Sequence, residues 1–598
     1  MSEPAPALSI NLEPNPVEAT DAVLPVVPPA EAAGPATGAG ADRSFIGHAK
    51  LVGALTLVSR VAGMAREIVA ANFLGAQLVA SAFTVAFTVP NLFRKLFGEG
   101  ALSAAFIPLY AEAMKRESAE EANAFAAAGI NLLCLLLLGI TLVGELLLGA
   151  LLLWGDRWFP DLTLTLRFTA IMLPYVLLIC GGAFLSGILQ VHRRFGAPAA
   201  APILLNVVHI AVLVVGARML HLTNHTPGAE AHALQRTLGY WLAFFVLVAG
   251  ALQVAVLLPA LRKTGFRFRP TGPLWTPKVR RMIKLTVPVA LGAGVLQMSV
   301  LLDKGIAMGL MQREDQYGQK VTHFHVAGHA VRFPMESGAP RRLDLAQNLY
   351  QFPLGIFAIA LATAIFPALS AEALEKDRRR FTSVLRQGLE AALWEGLPAS
   401  LGLILVAEPA VRLMFQRGHL TAHDADLIVR SVQVYAGAIW AFSLLQIVNR
   451  AYFAVHDTKT PFVMSVVNIV LNLAVEIPLL WTPLAESAMA VGTVVSFAVQ
   501  AVVMLVMLDR RVGGLELTRL AGPALKMLLA AVVMAGACWL VQHSRFYPAG
   551  EGWKVWAMQL GLVTTVGAAV YFAGCAALGV GVLSHLMPRR RGAAANAG

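Results

Sequence analysis

Charged side chains are scarce in this chain. Asp, Glu, Lys and Arg make up 14% of its 598 residues, where a water-soluble domain carries about 25%. With 57% hydrophobic residues and a mean hydropathy of +0.67, so few charges cannot cover a core of that size. Its solvent is therefore lipid. Cysteine is scarce too. Cys134, Cys180, Cys538 and Cys575 lie far apart, with no CxxC pair. That excludes a disulfide framework or a thiolate metal site, and the four read as small apolar residues. No basic segment followed by a short apolar run opens the chain, so a secretory leader is not expected. Residues 1–43 are rich in Pro, Ala, Glu and Gly and read as a disordered, mildly acidic tail. Residues 586–598 read as a second tail, on the cytoplasmic side.

What the sequence has is long apolar runs. They place spans near 46–76, 78–111, 123–154, 163–190, 197–217, 238–261, 284–310, 344–371, 388–412, 429–454, 461–481, 486–508, 522–543 and 556–585. The expected fold class is an all-α polytopic membrane protein with about fourteen transmembrane helices. The net charge of +12 does not mark a nucleic-acid partner, because its basic residues sit in short clusters between the apolar runs. One set of alternate connections holds Lys115 and Arg116, Arg193 and Arg194, a run from Arg262 to Lys284, Lys376 with Arg378 to Arg380, Lys459, Arg510 and Arg511, and Arg589 to Arg591. The other set is poor in them. Basic loops stay in the cytoplasm, so both termini are expected there, and adding or losing one span would scramble the later loops. Two longer connections, 218–237 and 311–343, fall on the outer side and are read as solvated loops. The spacing of His323, His325 and His329 does not fix a metal site, since no Cys or paired carboxylate stands beside them.

The first two spans are the exception to apolarity. Arg60, Arg66 and Glu67 interrupt the first, and Arg94, Lys95 and Glu99 the second, between Pro90 and the glycines Gly98 and Gly100. Arg60 and Arg66 differ by about 120° around an ideal helix, so both can border one wide cavity. Charge inside a membrane turns toward a cavity or a partner, and Pro with Gly suggests a broken helix of the kind that lines transporter sites. Arginine's planar fork suits a phosphate, so a polyanion is the natural complement of such a cluster. Further along, Asp303 sits beside Lys304 in the seventh span. Asn468 and Asn472 lie four apart, on one face of the eleventh.

The stretch "LVSRVAGMAREIVAANFLGAQLVASAFTVAFTVPNLFRKLFGEGALSAAFIPLYAE" resembles the N-terminal signature of the MurJ (MviN) family, lipid II flippases of the multidrug/oligosaccharidyl-lipid/polysaccharide exporter (MOP) superfamily. "NLYQFPLGIFAIALATAIFPALSAEA" from Asn348 resembles the family's eighth helix. "LMFQRGHLTAHDADLIVRSVQVYAGAIWAFSLLQIVNRAYFAVHDTKTPFVMSVVNIVLNL" resembles its ninth to eleventh. The resemblance covers roughly 46–585. It implies a MATE-like two-lobed transporter rather than an enzyme, in the bacterial cytoplasmic membrane. Residues 44–261 would form an N-lobe of six helices, 262–283 a basic linker, and 284–508 a C-lobe of six carrying the insertion 311–343. Residues 509–585 would supply two helices with a groove for a lipid tail. The implied cargo is lipid II, a disaccharide-pentapeptide joined by pyrophosphate to a C55 polyprenol, and the implied partners are the peptidoglycan synthesis machinery.

By the same resemblance Arg60, Arg66 and Arg94 match three cavity arginines, with Glu67 the acid beside the second. Asp303, Asn468 and Asn472 match positions where some members hold a cation, so Na+ or H+, or the membrane potential, is the implied drive, with no other cofactor. Two positions depart from the pattern. Ser81 stands where the family has an acid, and Asn348 where it has an arginine, with Arg341 and Arg342 nearby as candidate replacements. These changes remove one charge of each sign. They fit a rebalanced flippase, an exporter of another polyprenyl-linked oligosaccharide, or a transport-inactive scaffold for envelope assembly. A polyprenyl-phosphate glycosyltransferase would need an acidic motif in an interfacial loop, which the sequence lacks.

Overall fold

The structure is a computed structural model that describes residues 39–580 apart from 159, 224–225, 227, 267–273, 315–319, 327, 357, 375–377 and 516. Residues 1–38 of the expected N-terminal tail, the end of the last expected span at 581–585 and the expected C-terminal tail at 586–598 lie outside the described residues. A helix or a broken helix occupies each of the fourteen expected positions. The first half comprises α1 (Ala39–Leu74), α2 (Leu78–Phe93), α3 (Ala101–Arg116), α4 (Ala119–Trp158), α5 (Pro160–Met172), α6 (Tyr175–Val191), α7 (Gly196–Met219) and α8 (Gly228–Arg262). The second comprises α9 (Pro277–Gly309), α10 (Ala339–Ile356), α11 (Ala358–Leu374), α12 (Arg378–Phe415), α13 (Ala422–Ala436), α14 (Ile439–Ala454), α15 (Lys459–Leu479) and α16 (Ser487–Val512), followed by α17 (Leu517–Gln542) and α18 (Trp553–Ala577).

Among the described residues nine helices are long and apolar enough to cross a membrane, or up to eleven if α5–α6 and α13–α14, bent by 41° and 43°, each count as one span. Three expected spans fall short of that test: α1, α2 with α3, and α9. They are the ones interrupted by Arg60 and Arg66, by Arg94 and Lys95, and by Asp303 and Lys304. Between α2 and α3 the chain runs as a π-helical turn, Arg94–Gly100, just past Pro90. This is the break expected there, and a π-turn inside a helix is a frequent mark of function.

Some expectations need correction. α1 begins at Ala39, so the tail ends before residue 43. α8 begins at Gly228, so 228–237 of the expected loop 218–237 is helix, and Gln235 there donates to the Phe73 carbonyl at 2.9 Å. The all-α fold class holds, but the insertion 311–343 is more than a solvated loop. Two small antiparallel hairpins form, β1 (Arg313–Glu314) with β2 (Lys320–Val321) and β3 (His323–Val326) with β4 (His329–Arg332). Their foot is tied by a bridge between Met311 and Met335, and Phe324 packs on Phe333 at 4.8 Å. Residues 339–343 belong to α10, because Ala339 opens a helix whose apolar face joins the core.

The apolar core has three parts. One fills the first half around Phe106, Phe184 and Tyr110. A second fills the second half together with α17 and α18, around Leu385, Ile447 and Met527. The third joins the halves, with Ala71, Leu74 and Val79 against Met335, Leu345, Phe415 and Ile428. It seals the end that carries the insertion. There main chain meets main chain. The His419 N–H donates to the Asn72 carbonyl at 3.0 Å, and a side chain at Gly338 or Gly418 would run into the carbonyls of Ala76 or Asn72. Both glycines also take positive φ, +90° and +59°, which other residues adopt only with strain.

Candidate functional site

Beneath that seal lies a cavity of about 160 Å³ between the halves. α1 contributes Arg66 and Glu67, α2 Phe83, Thr84, Phe87, Thr88 and Asn91, and α7 His209. α9 contributes Lys304, and α10 Arg341, Asp344 and Asn348. The charges alternate in one connected chain. Arg66 pairs with Glu67. The other Glu67 oxygen accepts from Arg341 Nη1 at 2.7 Å, across 274 residues of sequence. Arg341 lies 3.5 Å from Asp344, and Asp344 accepts from Lys304 Nζ at 2.6 Å. Asn348 donates to the same carboxylate at 3.4 Å. Three cations therefore face two anions, and Arg341 Nη2 is buried without a hydrogen-bond partner among the described residues. Buried donors are normally satisfied, so Arg341 holds one unspent donor beside the cavity it lines.

The expected residues are distributed unevenly. Arg66, Glu67 and Asn348 line the cavity. Arg94 touches it through Asn91, whose Oδ1 accepts from Arg94 Nε at 3.2 Å. Arg60 does not line it. The residue is exposed and lies farther along α1 against α10, where a Cβ on Gly355 would stand 3.2 Å from Nη2. Six residues are roughly 9 Å of helix, and the Arg60 guanidinium extends to Gly355 rather than back into the pocket. Lys95 is exposed. Ser81 is fully buried in the packing of α2 rather than on the wall, with Oγ unpartnered among the described residues. The Glu99 side chain lies outside the described residues. Of the two replacement candidates, Arg341 reaches the cavity from seven residues before Asn348, two turns along one helix face.

Arg342, its neighbour, does something else. Its side chain is 1% exposed and fully engaged. Nε and Nη2 grip Glu486, Nη1 donates to Asp424 at 3.1 Å and to the Ser337 carbonyl at 2.8 Å, and Nη2 reaches the Glu336 carbonyl. Glu486 precedes α16, and Asp424 closes a capping box with Thr421 at the start of α13. Arg342 thus bolts α10 to two other elements of the second half.

A second polar cluster lies deeper. Asn472 Nδ2 donates to Asp303 at 3.4 Å and to Glu476 at 3.1 Å, joining α9 to α15. Asn472 Oδ1, Glu476 Oε1 and Asn468 Nδ2 are buried and unpartnered among the described residues. Two carboxylates and an amide oxygen are a hard, oxygen-donor set that suits a small cation. Lys304, adjacent to Asp303, turns away to Asp344. Asn468 makes no described contact with Asp303. Glu476 was missed, although its place four residues beyond Asn472 continues the same helix face. His209 was missed too, and its signal was a histidine inside an apolar run.

The sequence profile of the lipid II flippase MurJ family matches residues 70–550. The chain belongs to this family. The probable lipid II flippase MurJ of Rhizobium tropici is 31% identical over 556 residues, 91% of this chain and 97% of that one. The lipid II flippase MurJ of Burkholderia cenocepacia is 30% identical over 429 residues, 69% of this chain and 73% of that one. Among solved structures, a lipid II flippase MurJ in an inward closed conformation superposes with a TM-score of 0.67 at 21% identity, covering 88% of this chain and 98% of that one. An inward-facing multidrug resistance MATE transporter of the MOP superfamily superposes at 0.59 with 12% identity, covering 79% and 99%. The fold is thus the two-lobed MOP architecture of a polytopic membrane transporter. This chain carries two small hairpins between α9 and α10 and delivers a second-half cation to the cavity from Arg341.

Proposed function

We propose that the chain moves lipid II from the inner to the outer leaflet of the bacterial cytoplasmic membrane by alternating access, with no covalent chemistry. The observation that carries this reading is the alternating charge chain Arg66, Glu67, Arg341, Asp344 and Lys304 at the meeting of the two halves. Its cations are held by internal carboxylates while the cavity is small. A pyrophosphate brings more negative charge than either carboxylate and accepts bidentate arginine bonds. It would therefore displace Glu67 and Asp344 as the partner of Arg66, Arg341 and Lys304, and Arg94 adds a fourth cation through a short shift at the π-turn. Parting the Glu67–Arg341 bridge uncouples α1 from α10. Cargo binding and lobe movement are then linked by one exchange of partners, which is the differential interaction that a conformational change requires.

A 160 Å³ cavity is smaller than the roughly 300–1,000 Å³ of ordinary ligand sites. The headgroup therefore binds only in a wider state, and the polyprenyl tail stays in lipid along α17 and α18. Asp303, Asn472 and Glu476 would hold a coupling Na+ or H+, which would offset one negative charge of the two carboxylates at the α9–α15 contact.

The test is complementation of a strain depleted of its lipid II flippase. The wild-type chain should restore growth. Arg66→Ala and Arg341→Ala, at equal membrane abundance, should not, and Arg341→Lys should restore it only in part. Growth supported equally by all three variants would remove the cluster from the cargo site.

A further inference from the structure

The cavity has a second wall that the charge chain leaves unexplained. His209 on α7 is 2% exposed, lines the cavity, and has Nε2 buried with no protein partner among the described residues. A buried polar atom without a partner costs stability. The position is otherwise well determined. Three residues earlier Asn206 donates to the Ser59 carbonyl at 3.2 Å and pins α7 to α1. Phe83 and Phe87 stack on one another at 5.9 Å, and each meets the imidazole near edge-on at 6.0 Å. Phe87 is backed by Tyr175, itself hydrogen-bonded to Gln253. An aromatic shelf thus holds one unsatisfied nitrogen in the wall of the cavity that Arg66 and Arg341 also line.

We propose that His209, with Phe83 and Phe87, forms a subsite for the uncharged sugar part of the cargo headgroup, separate from the cations that take the pyrophosphate. This rests on the cargo reading above. The chemistry favours a sugar over a phosphate on this wall. A pyranose has apolar C–H faces that pack on phenyl rings, whereas a phosphate would be stripped of water against them. A sugar hydroxyl both donates and accepts, so it pairs with Nε2 in either tautomer. The subsite makes His209 a specificity-determining residue: it separates a glycosylated polyprenyl pyrophosphate from the bare one.

The test uses the full chain purified in detergent, with two probes: lipid II and undecaprenyl pyrophosphate, which lacks the sugars. His209→Phe keeps the ring and its packing but removes the nitrogen. It should weaken lipid II binding by roughly tenfold, the loss of a buried hydrogen bond, and leave undecaprenyl pyrophosphate binding unchanged. His209→Gln, which returns a donor and an acceptor, should recover lipid II binding. Arg66→Ala should weaken both probes alike. Equal weakening of both probes by His209→Phe would show a packing role only and overturn the subsite, as would unchanged binding of both. If the wild-type chain holds neither probe better than undecaprenol, the cargo reading itself fails, and that outcome is distinct from the other two.

Discussion

Arg341 and Arg342 are neighbours with opposite jobs, and the difference can be measured. Arg342→Met removes a guanidinium whose side chain is 1% exposed and strands the carboxylates of Glu486 and Asp424, themselves 3% and 8% exposed. Breaking a buried ion pair from one side costs about 3–5 kcal/mol, a large share of the roughly 5–15 kcal/mol that holds a domain folded. Arg341→Met leaves a milder defect. Glu67 keeps Arg66, Asp344 keeps Lys304, and both acids border a cavity, so the loss should be about 1–2 kcal/mol. Thermal unfolding of detergent-purified protein, followed by size-exclusion chromatography, should show Arg342→Met unfolding well below wild type and Arg341→Met close to it. Complementation should fail for both, but only Arg341→Met should fail at full membrane abundance. The decisive control is Arg342→Met combined with Glu486→Gln and Asp424→Asn. Once no charge is stranded, most of the lost stability should return. If the triple variant is no more stable than Arg342→Met, stranded charge is not the cause. If the two single variants unfold alike, the division of labour between the arginines is wrong.

Two further outcomes follow from the ends of the bundle. Burial holds the His419 imidazole below its ordinary 6.5; the Thr223 carbonyl pulls it up, but His232 pushes it further down. An opened state with an ordinary histidine binds a proton first, so the seal is intact above about 6.5 and weakens as pH falls below it. Hydrogen exchange at the His419 amide, corrected for its intrinsic rate, should accelerate in that window, and His419→Gln should flatten the response; an unchanged slope in the variant would assign the effect elsewhere. Single cysteines at His329 and at Lys263 should differ toward an impermeant thiol reagent applied to spheroplasts, the first labelled and the second protected. The reverse pattern would invert the topology.

Much of this architecture was legible because its signals are local. A span announces itself by about twenty apolar residues, and the charges that break α1, α2 and α9 named the helices that face the cavity. Pro90 with Gly98 and Gly100 foretold a broken helix at the π-turn. Pairings were not legible. Nothing in the neighbourhood of Glu67 points to a residue 274 positions away, and the sequence offered Arg341 and Arg342 as equals. Only the start of α10 at Ala339 sends one toward the cavity and the other into the second half. The hairpins of the insertion escaped notice because strands of two to four residues are too short for alternation to stand out. Arg60 and Arg66 interrupt the same apolar run, and their spacing gives the offset along the helix but not how far along it the cavity extends.

The grip on Arg342 limits how the cavity can open. A door swings against a fixed frame. α10 belongs to such a frame, since Arg342 ties its first turn to the starts of α13 and α16. Arg341, one peptide bond away, cannot travel to meet its cargo without dragging that frame along. The Arg341 side of the cavity therefore moves only with the second half, and α1, pinned to α7 through Asn206, moves only with the first, so parting the Glu67–Arg341 bridge frees one half against the other rather than a single helix.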